Sequence, residues 1–435
     1  MTIERLEVAG TPLVVERDPR IPLVSMSFMF RTGGASDPQG KDGLLRLMLR
    51  GLRRGSGSRD AMAFEAAVDA LGGEMSAEVF TSSCGVHAQV ISRNLEPFME
   101  LLGQMLGAPR FPEEDVRRLR QESIAEIVDA RDSDRELANL ALRRGLFGAH
   151  PFGRLAAGRV STLEKLGRDD LVAAHQAHVR ASNMVVGFAG DITVDVAERI
   201  TAKLIAGLPA GPAPDSALPE PVQPKGRRLF FVDKPERSQT QVLVGRLGTH
   251  ARDVDHFPLV VANAAFGGTF TARLMREVRS KRGWSYGAYA RLALERARHS
   301  FSMWTFPAAE SAAECLALEL QLLGAFYKDG ITEEERSFFG KYLSRSFAFD
   351  IDTAQKRIGQ ALDVDTLDLP ADFYSSYRAH LDAVTREQAN EAVRQRLSPD
   401  DLVIAVVGTQ ATLLDAVQKA IPDLAETTIV PFDAD

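Results

Sequence analysis

Long apolar runs are missing from this chain. No stretch approaches the ~20 consecutive apolar residues that a bilayer-spanning helix needs, and the opening MTIERLEVAGTPLVVERDPR carries acidic residues without the apolar centre of a secretory leader. Membrane insertion is not expected. A cytoplasmic protein is, or a periplasmic one if a leader has been removed. Positive charge is in deficit too. Against 52 Lys and Arg stand 59 Asp and Glu, a formal charge of -7, so no face is rich enough in cations to neutralise a row of phosphates, and nucleic acid is excluded as a partner. Cysteine is scarce: Cys84 and Cys315 fall in different halves without metal or redox spacing, and both read as buried small hydrophobes in a reducing compartment. Gly33-Gly34 and Gly72-Gly73 open no strand-to-helix phosphate loop, which removes the support for nucleotide binding.

What is present suits two domains. The 435 residues, 45% hydrophobic and 26% charged, exceed one ordinary core and fit two of roughly 200 residues each. Six prolines, at 209, 212, 214, 219, 221 and 224, crowd residues 206–228. That composition predicts an exposed, extended linker whose proteolysis releases two compact halves, 1–205 and 229–435. On either side the same order of elements recurs. Short apolar strands at 13–16 and 229–233 are each followed by a second strand, at 23–31 and 241–247. In the first of these, Val24, Met26, Phe28 and Phe30 alternate with more polar neighbours, as in a half-buried antiparallel strand.

The halves also end alike. RDDLVAAHQAHVRASNMVVGFAG, ending at Gly190, lies on REQANEAVRQRLSPDDLVIAVVG, ending at Gly408, without a gap and at a constant offset of 218. Helical patterns fill the spaces at 60–71, 95–106, 113–129, 161–179, 258–266, 310–327 and 333–347. The expected architecture is α+β: two homologous domains, each a mostly antiparallel sheet packed with helices.

One stretch concentrates the chemistry. In FGGTFTARLMREVRSKRGWSYGAYA, residues 266–290, a glycine turn at Gly267-Gly268 leads to Thr269 or Thr271 as a helix cap. Phe270, Leu274 and Val278 form a core face, and Lys281, Arg282 and Gly283 end the helix ahead of a strand that begins near Trp284. Arg279 and Tyr286 then stand on adjoining rigid elements. A guanidinium and a phenol converging there can hold a peptide carbonyl and stabilise charge developing on it.

This stretch, together with LEPFMELLGQMLGAPRFPEEDV and HPFGRLAAG in the first half, resembles the pitrilysin and mitochondrial processing peptidase family over nearly the whole chain. The resemblance implies that Arg279 and Tyr286, with Arg282 as the second choice of Arg, bind substrate beside a zinc ion. It also implies that His150-Pro151-Phe152-Gly153 is an architectural turn. In the family, zinc is held by H-x-x-E-H on a helix and by a Glu about 76 residues further on, the motif's own Glu acting as general base. The matching residues here are Arg46-Leu47-Met48-Leu49-Arg50, with Glu126 lying 76 residues after Arg50. Arg has no lone pair to offer a metal and Leu takes no proton. No cofactor is expected on this chain. Arg46 or Arg50 is instead expected to fill the metal's place and pair with Glu126, since a buried carboxylate without its cation is costly.

Other candidates are weaker. His175 and His178 have helical i, i+3 spacing but no third ligand. Arg46, Arg50, Arg53, Arg54 and Arg59 read as a solvated basic face, with the steering of acidic peptide as the alternative. The resemblance therefore implies a non-catalytic subunit that binds peptide substrate and pairs with a homologous zinc-bearing H-x-x-E-H chain, supplying Arg279 and Tyr286 in trans. Two other readings stay open: a structural subunit, like the core subunits that this family supplies to the cytochrome bc1 complex, and a homodimeric peptide-binding module.

Overall fold

The computed structural model describes residues 3–435. Its strands are β1 (Glu4–Val8), β2 (Thr11–Arg17), β3 (Leu23–Phe30), β4 (Glu74–Val79), β5 (Cys84–Ile91), β6 (Met184–Gly190), β7 (Arg227–Asp233), β8 (Gln241–Leu247), β9 (Ala288–Leu292), β10 (Ser300–Thr305), β11 (Leu402–Gly408) and β12 (Leu424–Pro431). They form two six-stranded sheets, ordered β1-β2-β6-β3-β5-β4 and β12-β7-β11-β8-β10-β9. Most pairs are antiparallel. The exceptions are β2 with β6, and β7 with both β11 and β12. Both sheets are thus mixed, and the two domains share one α+β plan. The shared 218-residue offset maps β6 onto β11 and helix Arg168–His178 onto helix Arg386–Arg396. The repeats differ at one edge, where the first sheet uses its first strand, β1, and the second uses its last, β12.

The central strands β6 and β11 are almost wholly buried, because both faces of each sheet are covered. One cover is exchanged between the halves. Helix Asp134–Phe147 of the first half lays Leu137, Ala138, Ala141, Leu142 and Leu146 on Leu243, Val403, Ala405 and Val407 of the second sheet. In return, helix Ala354–Thr366 lays Ala354, Ile358, Ala361 and Leu362 on Val14, Met29, Val185 and Ala189 of the first. Fully burying a large apolar side chain contributes roughly 1.5–3 kcal/mol, so this exchange joins the halves more firmly than their linker does. Polar clasps reinforce it: Arg357 grips the buried Glu16 carboxylate at 2.9 Å, and Lys234 reaches Asp134 at 2.7 Å.

Residues 209–226 run extended without regular structure, as their prolines dictate. They are nevertheless fastened to both halves. Arg180 donates to the Pro212 carbonyl at 2.9 Å, Gln223 donates to that of Asp401 at 3.3 Å, and Pro221 is buried. The halves are therefore interlocked through their exchanged helices and the fastened linker. The single helix expected over 161–179 is also two, Val160–Leu163 and Arg168–His178, because Asp170 accepts the Gly167 N–H at 2.9 Å and starts a new helix there. Among the described residues no helix is long and apolar enough to cross a membrane.

Candidate functional site

Helix Leu44–Gly51 carries the first group of candidates. The buried Asp37 caps it, accepting the N–H groups of Gly43 at 2.7 Å and Leu45 at 2.9 Å. Leu45, Met48 and Leu49 point into the core, with Leu49 only 1% exposed. Arg46 and Arg50, one turn apart, therefore share the opposite face and look onto helix Glu113–Ala130. There both guanidinium groups meet Glu126, Arg46 at 2.8 Å and Arg50 at 2.9 Å, while Arg50 also donates to Ser123 at 3.0 Å. Partial desolvation pulls the Glu126 carboxyl upward. The hydrogen bond from Arg46 and the charge of Arg50 outweigh it and hold the group below the usual carboxylate range.

The donor set does not fit zinc: the one carboxylate is engaged by two cations, and both positions that would ligate are themselves cationic. Among the described residues no group of three His, Cys, Asp or Glu side chains is placed to hold a metal ion. The basic run is not a solvated face either. Arg53 pairs with Glu65 at 2.6 Å, Arg54 reaches Glu122 at 3.5 Å, and Arg59 donates to the Gln104 amide oxygen at 2.7 Å, so each is tied to a side chain of a neighbouring element.

The second group is built on two π-helical turns, Ala264–Gly268 and Met275–Ser280, which are over-represented at functional sites. Gly267 is required by close approach rather than by unusual dihedrals, since a Cβ there would stand 2.6 Å from the backbone of Ala290 on β9. Leu274 and Val278 are fully buried, but Phe270 is 63% exposed, which corrects the expected three-residue core face. No threonine caps a helix at this point; the Thr269 hydroxyl donates to the Ala264 carbonyl at 3.3 Å. Gly283, with φ +67, ends the turn, its N–H donating to the Arg279 carbonyl at 2.9 Å.

The strand starts at Ala288, later than Trp284, so Tyr286 sits on the short link ahead of it. Ser285 pins that link, donating to the Gly287 carbonyl at 2.6 Å and accepting the Phe306 N–H at 3.0 Å. With its neighbours buried, Tyr286 points outward and is 75% exposed. Arg279 lies over it, 4.3 Å from the ring centre, and 4.8 Å from that of Phe270. Arg282, the second choice of Arg, is occupied: it pairs with Glu277 at 3.1 Å and lies over Trp284. Arg279 forms no ion pair among the described residues.

The remaining candidates are structural. The His175 ring is buried with Nε2 2.7 Å from the Leu106 carbonyl, and His178 Nδ1 meets the Thr32 hydroxyl at 3.2 Å; burial lowers both pKa values. His150 accepts the Phe152 N–H on Nδ1 at 3.0 Å, and its Nε2 lies 2.9 Å from the Pro219 carbonyl of the linker. Cys84 and Cys315 are buried in separate halves, and desolvation pushes both thiols far up. Sequence reasoning missed Phe270 as part of the exposed site. Its four-residue spacing to Leu274 and Val278 reads as core, and the sequence held no signal against that reading.

Two tandem α+β domains with a zinc-site spacing whose donors have been replaced define a metallopeptidase-like protein. The chain belongs to peptidase family M16: residues 13–158 match "Insulinase (Peptidase family M16)" and residues 165–337 match "Peptidase M16 inactive domain". It is 20% identical to a Helicobacter pylori protein named "Non-peptidase homolog YmxG", with 94% of each chain covered. To an uncharacterized zinc protease of Mycobacterium leprae it is 27% identical over 75% of this chain and 74% of that one. The crystal structure of a peptidase M16 inactive domain from Pseudomonas fluorescens superposes with a TM-score of 0.88 at 25% identity, covering 94% of this chain and 98% of that one.

Proposed function

We propose that this protein is the non-catalytic, substrate-gripping subunit of a two-chain zinc peptidase. The partner is a homologous chain that carries its own H-x-x-E-H, and Arg279 and Tyr286 act on the peptide held at that partner's zinc. One observation carries the reading: where a zinc site would stand, Arg46 and Arg50 both close on Glu126, while Arg279 and Tyr286 are presented outward with no ion pair among the described residues. A planar guanidinium with five donors and an adjacent phenol suit a peptide carbonyl whose oxygen gains charge. The name of the Helicobacter pylori relative agrees with the loss of hydrolysis in this chain.

A purely structural subunit is the competing reading, and it leaves the exposed Arg279–Tyr286 pair without a use. Affinity purification from the native host separates the two. Co-elution of a roughly equimolar chain containing H-x-x-E-H, with chelator-sensitive peptide cleavage in the complex and none in this chain alone, is the expected result. Recovery of the protein only in assemblies without such a chain rejects the proposal.

A further inference from the structure

A cleft of about 890 Å³ opens between the halves, distinct from the Arg279–Tyr286 pair. Helix Asp134–Phe147, whose inner face covers the second sheet, gives the cleft its outer face. Arg135 and Arg143 stand there two turns apart, with Arg144 beside them. Arg131 just precedes the helix, and Arg291 projects from β9 opposite. None of these five arginines forms an ion pair among the described residues.

The acids nearby do not offset them. Glu126 is held by Arg46 and Arg50, and Asp435 is spent on the N–H groups of Val160 and Ser161 at 2.8 and 2.9 Å. Glu295 is buried and bound by the Ser82 hydroxyl at 2.6 Å. Glu136 and Glu295, whose charge also acts on Arg143, are the acids left facing the five, so the cations still outnumber them. In a protein whose formal charge is -7, this is a local reversal of sign. Uncompensated like charges in a shared cleft persist at a cost and focus the potential on an anionic ligand.

From this arrangement we infer that the cleft receives an acidic peptide segment, a substrate class that rests on the peptide-binding role proposed above. Two features favour peptide over nucleic acid. Apolar side chains, Ile127, Leu140 and Phe432, are interleaved with the cations along the wall. The path outward follows one face of β9 as well: Tyr289 and Arg291, two residues apart, lead from the cleft toward Tyr286.

The test is fluorescence anisotropy on the full chain with three peptides of equal length, Asp/Glu-rich, neutral and Lys-rich, beside a single-stranded DNA oligonucleotide. The acidic peptide is expected to bind at least ~10-fold tighter than the neutral one, with the advantage shrinking as salt is added. The exposed pair R144E/R291E is expected to erase that preference with an unchanged circular-dichroism melt, and R144Q/R291Q to reduce it partway. Equal affinity for all three peptides, binding of none, tighter binding of DNA, or an unaltered preference in R144E/R291E each overturns the inference. The role of Arg279 and Tyr286 is judged separately, by turnover in the assembled complex, so charge-blind peptide binding ends the acidic assignment and leaves that role standing.

Discussion

The guanidinium of Arg279 lies 4.3 Å from the centre of the Tyr286 ring, on a shelf that Phe270 completes from the other side. Such contacts contribute about 0.5–1 kcal/mol at exposed sites, enough to orient the side chain but not to neutralise it. Arg282, three residues further on, illustrates the contrast, because Glu277 takes its charge. The π-helical turns set this division: by shifting the register of Met275–Ser280 they send Arg279 toward Tyr286 and keep Leu274 and Val278 inside.

Rebuilding the donor set tests the metal argument. The double substitution R46H/R50H places two imidazoles on the helix face that now meets Glu126. The double variant is expected to bind about one zinc per chain by mass spectrometry of metals, and the unaltered protein none. Arg46→Ala alone should change stability by less than about 1 kcal/mol, because the Arg46–Glu126 pair is partly exposed and screened. Failure of R46H/R50H to take up zinc would show that the two helices no longer hold the spacing.

Much of the architecture was legible because duplication leaves a constant offset, and because strands covered on both faces, such as β6 and β11, read as unbroken apolar runs. The exchanged helices were not legible. Burial against the other half's sheet produces the same periodicity as burial against one's own, so nothing in Leu137-Ala138-Ala141-Leu142 says which sheet it covers. The pairing of Arg46 or Arg50 with Glu126 could be anticipated from the ligand spacing that the family resemblance implies, but Glu126 is exposed, so the cost of a buried carboxylate is not what joins them. The outward turn of Phe270 could not, since π-helical register departs from the 3.6-residue repeat on which the reading relied.

The exchange of helices Asp134–Phe147 and Ala354–Thr366 alters what proteolysis should show. Cutting within 206–228 is expected to yield two fragments that separate in denaturing gels yet co-elute in native size exclusion. Elution as two independent halves would show that the exchanged faces contribute little.

Removal of the clasp should be felt strongly. Arg357→Ala leaves the Glu16 carboxylate, 1% exposed, without the guanidinium that grips it, and a loss of about 3–5 kcal/mol is expected in chemical denaturation. Replacing both partners, E16Q/R357M, should recover much of that loss. A single-variant loss below about 1 kcal/mol would contradict the buried clasp.

Glu319 sets a pH dependence. It is fully buried on helix Ala312–Asp329, and desolvation raises its pKa to about 8, only partly opposed by the Thr305 hydroxyl. The unfolded chain releases this proton near pH 4.5 while the folded one keeps it, so its contribution is full below pH 4.5 and is lost as pH rises toward 8. Glu319→Gln should flatten this part of the stability profile and leave the protein more stable, by a few kcal/mol at most, near pH 8. An unchanged slope between pH 5 and 8, measured by denaturant midpoints, would remove Glu319 as the cause.

The proposed role of Arg279 and Tyr286 is decided in the assembled complex. Neither side chain belongs to the core, so substitution should leave folding and assembly intact and lower turnover alone. Loss of one donor to a developing oxyanion typically costs ~10²- to 10³-fold in rate, and Tyr286→Phe is expected to fall in that range. Phenylalanine keeps the ring under Arg279, so the loss isolates the hydroxyl from the shelf. Arg279→Lys keeps the charge but gives up the planar fork, and no rescue is expected. The double variant should be little slower than the slower single one if both groups act on one carbonyl. Phe270→Ala provides the internal comparison: it removes part of the shelf without removing a donor, and should cost far less than Tyr286→Phe. Full turnover in a correctly assembled Tyr286→Phe complex would reject action in trans and favour the structural subunit.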